Sequence, residues 1–155
     1  MDLKDILNEQ NIIILSLRES YFVEIKRKKK KYEYRKRFLK KESWAFIYVS
    51  KTKKEIVGII RLGIPKYDSS EKIAMFASQI GDNIYDSMIS YLGVGKKGYA
   101  IPIDNVYLFD SPIGISTLRK IDNNFYAPQS YSYLREKSKL YDYLKKSKIQ
   151  LIEVW

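Results

Sequence analysis

The sequence contains neither cysteine nor histidine in its 155 residues. The first absence excludes a disulfide framework, a thiolate nucleophile and a Cys-ligated zinc. The second excludes a Ser-His-Asp triad, an imidazole base and a His-ligated metal. Catalysis, if any, must run on Lys, Tyr, Ser, Thr or carboxylates. No stretch approaches the roughly 20 apolar residues that span a bilayer. The opening Met1-Asp2-Leu3-Lys4-Asp5 carries acid where a secretory leader carries base, and the apolar run Ile12–Leu15 is too short for a leader core. These features predict a soluble, cytoplasmic protein with no membrane partner. The length suits one domain, and 45% hydrophobic with 14% aromatic residues is a globular composition rather than that of a disordered tail.

What the sequence does have is positive charge in one place. From Lys26 to Lys41 it reads KRKKKKYEYRKRFLKK, with 11 basic residues and one acid out of a whole-chain net charge of +11. A focused potential of this kind attracts polyanions. A bare charge run is ordinarily a solvated or disordered tract. Here Tyr32, Tyr34 and Phe38 interrupt it, which predicts a folded basic strand. On such a strand Lys30, Tyr32, Tyr34, Lys36 and Phe38 share a core-facing side, and Lys31, Glu33, Arg35 and Arg37 share a charged one.

Around this segment the pattern predicts an α+β domain. Asp2–Glu9 reads as a weak helix or loose arm, and Ile12–Leu17, rich in β-branched residues, as a buried strand. Ser16 and Glu19 have capping-box spacing ahead of a helix carrying Tyr21, Phe22 and Ile25. Trp44–Val49 and Glu55–Leu62 form a hairpin about the polar turn Ser50–Lys54. A pair of helices, one with Ile73, Phe76, Ala77 and Ile80, the other with Tyr85, Met88, Ile89 and Leu92, is inserted before the strand Tyr99–Phe109, in which Pro102 marks an edge or bulge. Ser116 caps a short helix, and a Tyr-rich segment, an amphipathic helix with Leu140 and Leu144, and a possible strand within Ile149–Trp155 complete the chain. No repeat or long linker divides it, so residues 1–155 read as a single domain.

Two motifs fall short of the chemistry they superficially suggest. Gly93-Val94-Gly95-Lys96-Lys97-Gly98 has the wrong order of elements for a phosphate loop and no Ser or Thr after the lysine, so it reads as a helix stop and hairpin with Lys96 and Lys97 available to phosphates. Asp82 and Asp86, four apart on a helix, read as solvated; nothing argues for a Mg²⁺ site on them, and no cofactor is called for.

Ile13-Ile14-Leu15-Ser16-Leu17, a short helix, and then Lys30-Lys31-Tyr32-Glu33-Tyr34-Arg35 together resemble the opening of the activating-signal-cointegrator homology (ASCH) family, whose signature after the first helix is G-x-K-x-x-E-x-R. Three of its four positions are met, by Lys30, Glu33 and Arg35. Ala127-Pro128-Gln129-Ser130-Tyr131 resembles a segment of one bacterial and archaeal branch, so the resemblance spans residues 12–134 and leaves 135–155 as a C-terminal helix and possible strand. The departure is Lys28 in place of the glycine, which imposes either a left-handed lysine or an altered turn.

The resemblance implies a PUA-like β-barrel with flanking helices, a helical insertion between strands, and a cleft beside the first helix lined by Lys30, Glu33 and Arg35. Lys30 and Arg35 suit a phosphate or base oxygen, Arg35 in bidentate fashion, and Glu33 suits a base amine. Lys31, Arg37, Lys96 and Lys97 extend the phosphate surface, and Gln129, Ser130 and Tyr131 close one side. The implied partner is nucleic acid, RNA in preference. Two alternatives are an acidic protein partner and a nuclease on the same scaffold, the latter using Lys30 with Tyr32, Tyr34 or Ser130 in proton transfer. Some family members hydrolyse an acetylated cytidine with a Lys and a Thr of the motif; Glu33 stands where that Thr would be, so this chemistry is not supported.

Overall fold

The computed structural model describes residues 1–82 and 84–155. Its elements run α1 (Leu3–Leu7), β1 (Ile12–Arg18), α2 (Glu19–Lys26), β2 (Tyr32–Arg35), β3 (Ser43–Ser50), β4 (Glu55–Leu62), β5 (Lys66–Ser69), α3 (Ser70–Gln79), α4 (Tyr85–Leu92), β6 (Lys97–Gly114), α5 (Ile115–Ile121), β7 (Tyr131–Tyr133), α6 (Lys139–Lys146) and β8 (Leu151–Glu153).

The strands make one sheet in the order β2-β6-β4-β3-β1-β7, with β5 and β8 also paired to β6. It curls into a half-barrel. β1 lies parallel to β3, Ile12 opposite Trp44 through Arg18 opposite Ser50, and antiparallel to β7. The 18-residue β6 is the spine: its first part pairs with β2 and β5, and its later part with β4 and β8. Pro102 sits near the changeover, opposite Tyr32 in β2 and accepting from Gly63 N–H through its carbonyl at 2.9 Å.

Both faces of this sheet are covered, which is why β1 and β3 are nearly continuous apolar runs rather than alternating ones. Ile13, Leu15 and Leu17 of β1 join Ala45, Ile47 and Val49 of β3 in the cluster inside the curl, with Phe22 and Ile25 of α2. Ile12, Ile14, Trp44, Phe46 and Tyr48 point the other way, under α1, α5 and α6. Each fully buried Ile, Leu or Phe contributes about 1.5–3 kcal/mol of transfer free energy. A third cluster, Ile73, Ala74, Ala77, Met88 and Leu92, lies beneath the α3–α4 pair and meets the sheet at Tyr34 and Ala100.

Several local expectations change. α1 is firmly docked, with a reciprocal Asp2–Asp5 capping box and Leu3, Ile6 and Leu7 buried. Ser16 does not cap α2. It lies inside β1, opposite Tyr48, and its hydroxyl donates to the Pro128 carbonyl at 2.6 Å, while Arg18 occupies the N-cap without a side-chain bond. Ser116 likewise falls inside α5, whose N-cap is Gly114.

The basic stretch is not one strand. Lys26 ends α2, residues 27–31 turn, and only Tyr32–Arg35 pair with β6. Continuing that register would set Arg37 opposite Lys97, and like charges directly opposite destabilise a pair. The chain leaves the sheet instead, turning Phe38 and Leu39 into the inner core.

Candidate functional site: a cation–carboxylate cluster at the sheet seam

The turn that positions the site begins at the end of α2. Lys28 N–H donates to Ile25 O and Lys29 N–H to Glu24 O, both at 3.0 Å, which is a Schellman closure. The closure needs a left-handed residue between helix and strand, and Lys28 supplies it at φ 60°. Of the two courses open to Lys28, the chain takes the strained left-handed one and keeps the turn. A second pin acts on the same helix end, where the Trp155 indole N–H donates to the Ile25 carbonyl at 2.8 Å.

From this turn Lys30 projects toward β2. Its ammonium lies 3.3 Å from Glu33 Oε1, and the other carboxylate oxygen accepts from Arg35 Nη2 at 3.1 Å. Glu33 is buried, 6% exposed, whereas both cations keep part of their surface open. Tyr34 N–H also donates to Glu33 Oε1 at 3.0 Å. The carboxylate is therefore fully engaged. Two cations against one buried anion leave a net charge of +1 at the surface of the cluster, a site disposed toward an anion.

Arg35 extends across the seam of the curl. Nη1 donates to Ser130 Oγ and Nη2 to the Ser16 carbonyl, each at 3.1 Å. Ser16 N–H in turn donates to the Ser130 carbonyl at 3.0 Å. With the Glu33 bond, three of the five guanidinium N–H groups are committed to protein among the described residues, and two remain for a ligand.

Tyrosines surround the cluster. The Lys30 ammonium is 5.6 Å from the centroid of Tyr21 and 5.3 Å from that of Tyr34, and Lys36 is 5.2 Å from that of Tyr91. Burial raises the Tyr91 phenol above its usual range; Arg35 opposes that shift and Glu33 adds to it. The Tyr34 phenol is pushed far up, first by burial and then by its bond to Asp82 Oδ2 at 2.8 Å, which the neutral phenol donates. Asp82 is thus tied to the site, not simply solvated.

The structure brings four of the expected residues together: Lys30, Glu33, Arg35 and Ser130. The two strand faces also divide otherwise than expected. Tyr32 and Tyr34 face the α3–α4 pair, Tyr32 edge-on to Phe76 at 4.9 Å, while the charged side with Glu33 turns inward toward Ser16 and Ser130. Of the four catalytic candidates, Lys30 and Ser130 lie in the cluster, Tyr32 does not reach it, and Tyr34 presents its ring with its hydroxyl held by Asp82. Lys31, Arg37 and Gln129 are exposed. Tyr131 packs on Phe38 at 5.0 Å and lines the inner core. Lys96 and Lys97 stand at the start of β6, beside β5.

Sequence reasoning missed Ser16, Tyr21, Tyr91 and Asp82. No local signal marks them: Ser16 and Asp82 act through partners 112 and 48 positions away. The basic–aromatic interleaving did hint that rings would accompany the lysines. Among the described residues, no helix is long and apolar enough to cross a membrane.

No protein-family model matches the sequence, and the curated proteins contain no match. Solved structures do resemble it. The ASCH protein of Zymomonas mobilis superposes with a TM-score of 0.72 at 20% identity, over 86% of this chain and 94% of its own. Two variants of that protein, one with a serine replaced by alanine and one with a tyrosine replaced by phenylalanine, give TM-scores of 0.70 and 0.73 at 20% and 19% identity. They cover 82% and 88% of this chain, and 90% and 99% of theirs. The chain has the fold of the ASCH proteins.

Proposed function

We propose that this protein binds nucleic acid, RNA in preference, through the Lys30–Glu33–Arg35 cluster at the seam of the half-barrel. One observation carries the reading: a buried carboxylate is clamped between two partly open cations, so that net positive charge and two uncommitted guanidinium N–H groups remain in a cluster beside the exposed Tyr21 ring. Phosphate contacts position a strand, and ring stacking holds unpaired bases, the mode by which RNA is most often read. The surrounding basic run adds the long-range attraction. Within this reading Ser130 fixes Arg35, and the exposed Lys31 and Arg37 meet the backbone.

The test is binding of labelled single-stranded RNA, duplex RNA and duplex DNA across a salt series, with and without Mg²⁺, each sample then run on a denaturing gel. The log-log salt slope for a single strand is about −0.7 per phosphate neutralised, so four or more contacts give a slope near −3 or steeper. A steep slope with intact RNA is expected. Shortened RNA in wild-type samples, absent with Lys30→Ala, would convert the assignment to a nuclease. No binding near physiological salt would sink it.

A further inference from the structure

Three exposed tyrosines carry lysine ammonium groups on their faces: Tyr21 with Lys30 and Tyr91 with Lys36 at the cluster, and, beyond it, Tyr67 with both Lys40 and Lys97. Tyr67 is the most elaborated. Its ring is 45% exposed, with Lys40 at 5.3 Å and Lys97 at 5.4 Å from the centroid. It rests on Tyr99 at 4.5 Å and 31°, and Tyr99 is the partner of Arg35 across β2 and β6. Tyr67 therefore stands one strand beyond the cluster, on the far side of β6.

Among the described residues, neither Lys40 nor Lys97 makes a salt bridge; the neighbouring carboxylate, Asp68, lies 4.0 Å from Lys72. Ammonium groups parked on a ring face have a weaker partner than a phosphate would be. When they move to phosphate, they uncover a face on which a base can stack, and the Tyr99 ring beneath keeps that face in place.

We infer that Tyr67, Lys40 and Lys97 form a second subsite for single-stranded nucleic acid, taking a nucleotide that flanks the one held at the Lys30–Glu33–Arg35 cluster. The inference rests on the nucleic-acid reading above and deepens it. It also accounts for the path of the chain after β2, since leaving the sheet at Lys36 allows Lys40 to reach Tyr67.

The experiment uses fluorescein-labelled oligouridylate of ten nucleotides, with unlabelled diuridylate as competitor. Replacing Lys40→Gln and Lys97→Gln together changes only exposed side chains and should make the ten-mer salt slope shallower by about 1.4, two phosphates' worth. Tyr67→Ala should weaken the ten-mer about tenfold, and Tyr67→Phe should restore it, because stacking uses the ring. Competition by diuridylate should stay within about twofold of wild type in all three. Lys30→Ala, by contrast, should weaken both ligands. An unchanged ten-mer affinity and slope in the Tyr67→Ala and double-lysine variants would overturn the subsite while leaving the cluster standing, provided Lys30→Ala still weakens both ligands. Equal losses for the dinucleotide and the ten-mer in Tyr67→Ala would overturn it as a separate subsite. Wild-type protein that binds neither ligand would overturn the nucleic-acid reading and the subsite with it.

Discussion

Arg35 and Ser130 belong to opposite ends of the sheet order, one on β2 and the other just before β7, yet the guanidinium donates to the serine hydroxyl at 3.1 Å. The same side chain holds the buried Glu33, so a residue read as ligand-binding is also a closure of the half-barrel. Removing one partner of a buried charge pair leaves the other uncompensated, a loss of about 3–5 kcal/mol in fully buried cases. Here Lys30 still serves Glu33, so Arg35→Ala should cost about 2–3 kcal/mol by urea unfolding and weaken RNA binding in the fraction that stays folded. Arg35→Lys should recover less than half of either loss, since one ammonium cannot span Ser130, Ser16 and Glu33 together. Wild-type stability in Arg35→Ala would show that the seam closes without it.

The left-handed Lys28 offers the opposite sign. Glycine at φ 60° carries no Cβ penalty, and that relief of about 1–2 kcal/mol outweighs the extra freedom of glycine in the unfolded chain. Lys28→Gly should therefore raise stability by about 0.5–1 kcal/mol, measured as a higher urea midpoint at unchanged slope. A lower midpoint would mean that the lysine side chain makes a contribution that its backbone conformation conceals.

Tyr34 sets an alkaline limit. Its folded phenol titrates far above the unfolded value of about 10, so the stability it contributes is complete below that pH and is lost as pH rises further. Each pH unit above 10 should remove about 1.4 kcal/mol through this one proton. Tyr34→Phe should cost about 1 kcal/mol at neutral pH, through loss of the bond to Asp82, and make the decline between pH 10 and 11.5 shallower by one proton. Unfolding series at several pH values give both quantities. An equal slope in the variant would contradict the assignment.

At Gly58 on β4, a Cβ would press on the carbonyl oxygen of Tyr107 and lie 3.0 Å from the Leu108 Cα, both in the adjacent β6. Backbone cannot step aside as a flexible side chain does. Gly58→Ala should cost about 3 kcal/mol or more, with the β4–β6 amides losing exchange protection before the rest of the sheet.

Much of the fold is legible in local chemistry. The β-branched run at Ile12 announces β1, the stripe at Ile73 announces α3, and Gly93 at φ 100° stops α4 as its position suggests. The spacing of Lys30, Glu33 and Arg35 is likewise enough to locate the cluster along the chain. What the sequence could not disclose is pairing at a distance. Ser16 has the spacing of a cap, and only the parallel alignment of β1 with β3 shows that it is a strand residue facing Pro128. Asp82 looks like any surface acid until Tyr34 meets it from another element. The basic run's exit from the sheet depends on Lys97, sixty positions after Arg37, being opposite it in the continued register.

The Arg35–Ser130 closure also orders events in time. The two residues are 95 positions apart, and a ribosome adding about 5–20 residues per second needs roughly 5–20 s to travel from one to the other. For about two-thirds of that interval β2 also waits for its strand partner, the start of β6. The nascent chain therefore carries its basic run well before the seam that gathers Lys30, Glu33, Arg35 and Ser130 can close. The cluster is completed only after Ser130 has emerged; until then the chain has the charge without the closure that arranges it.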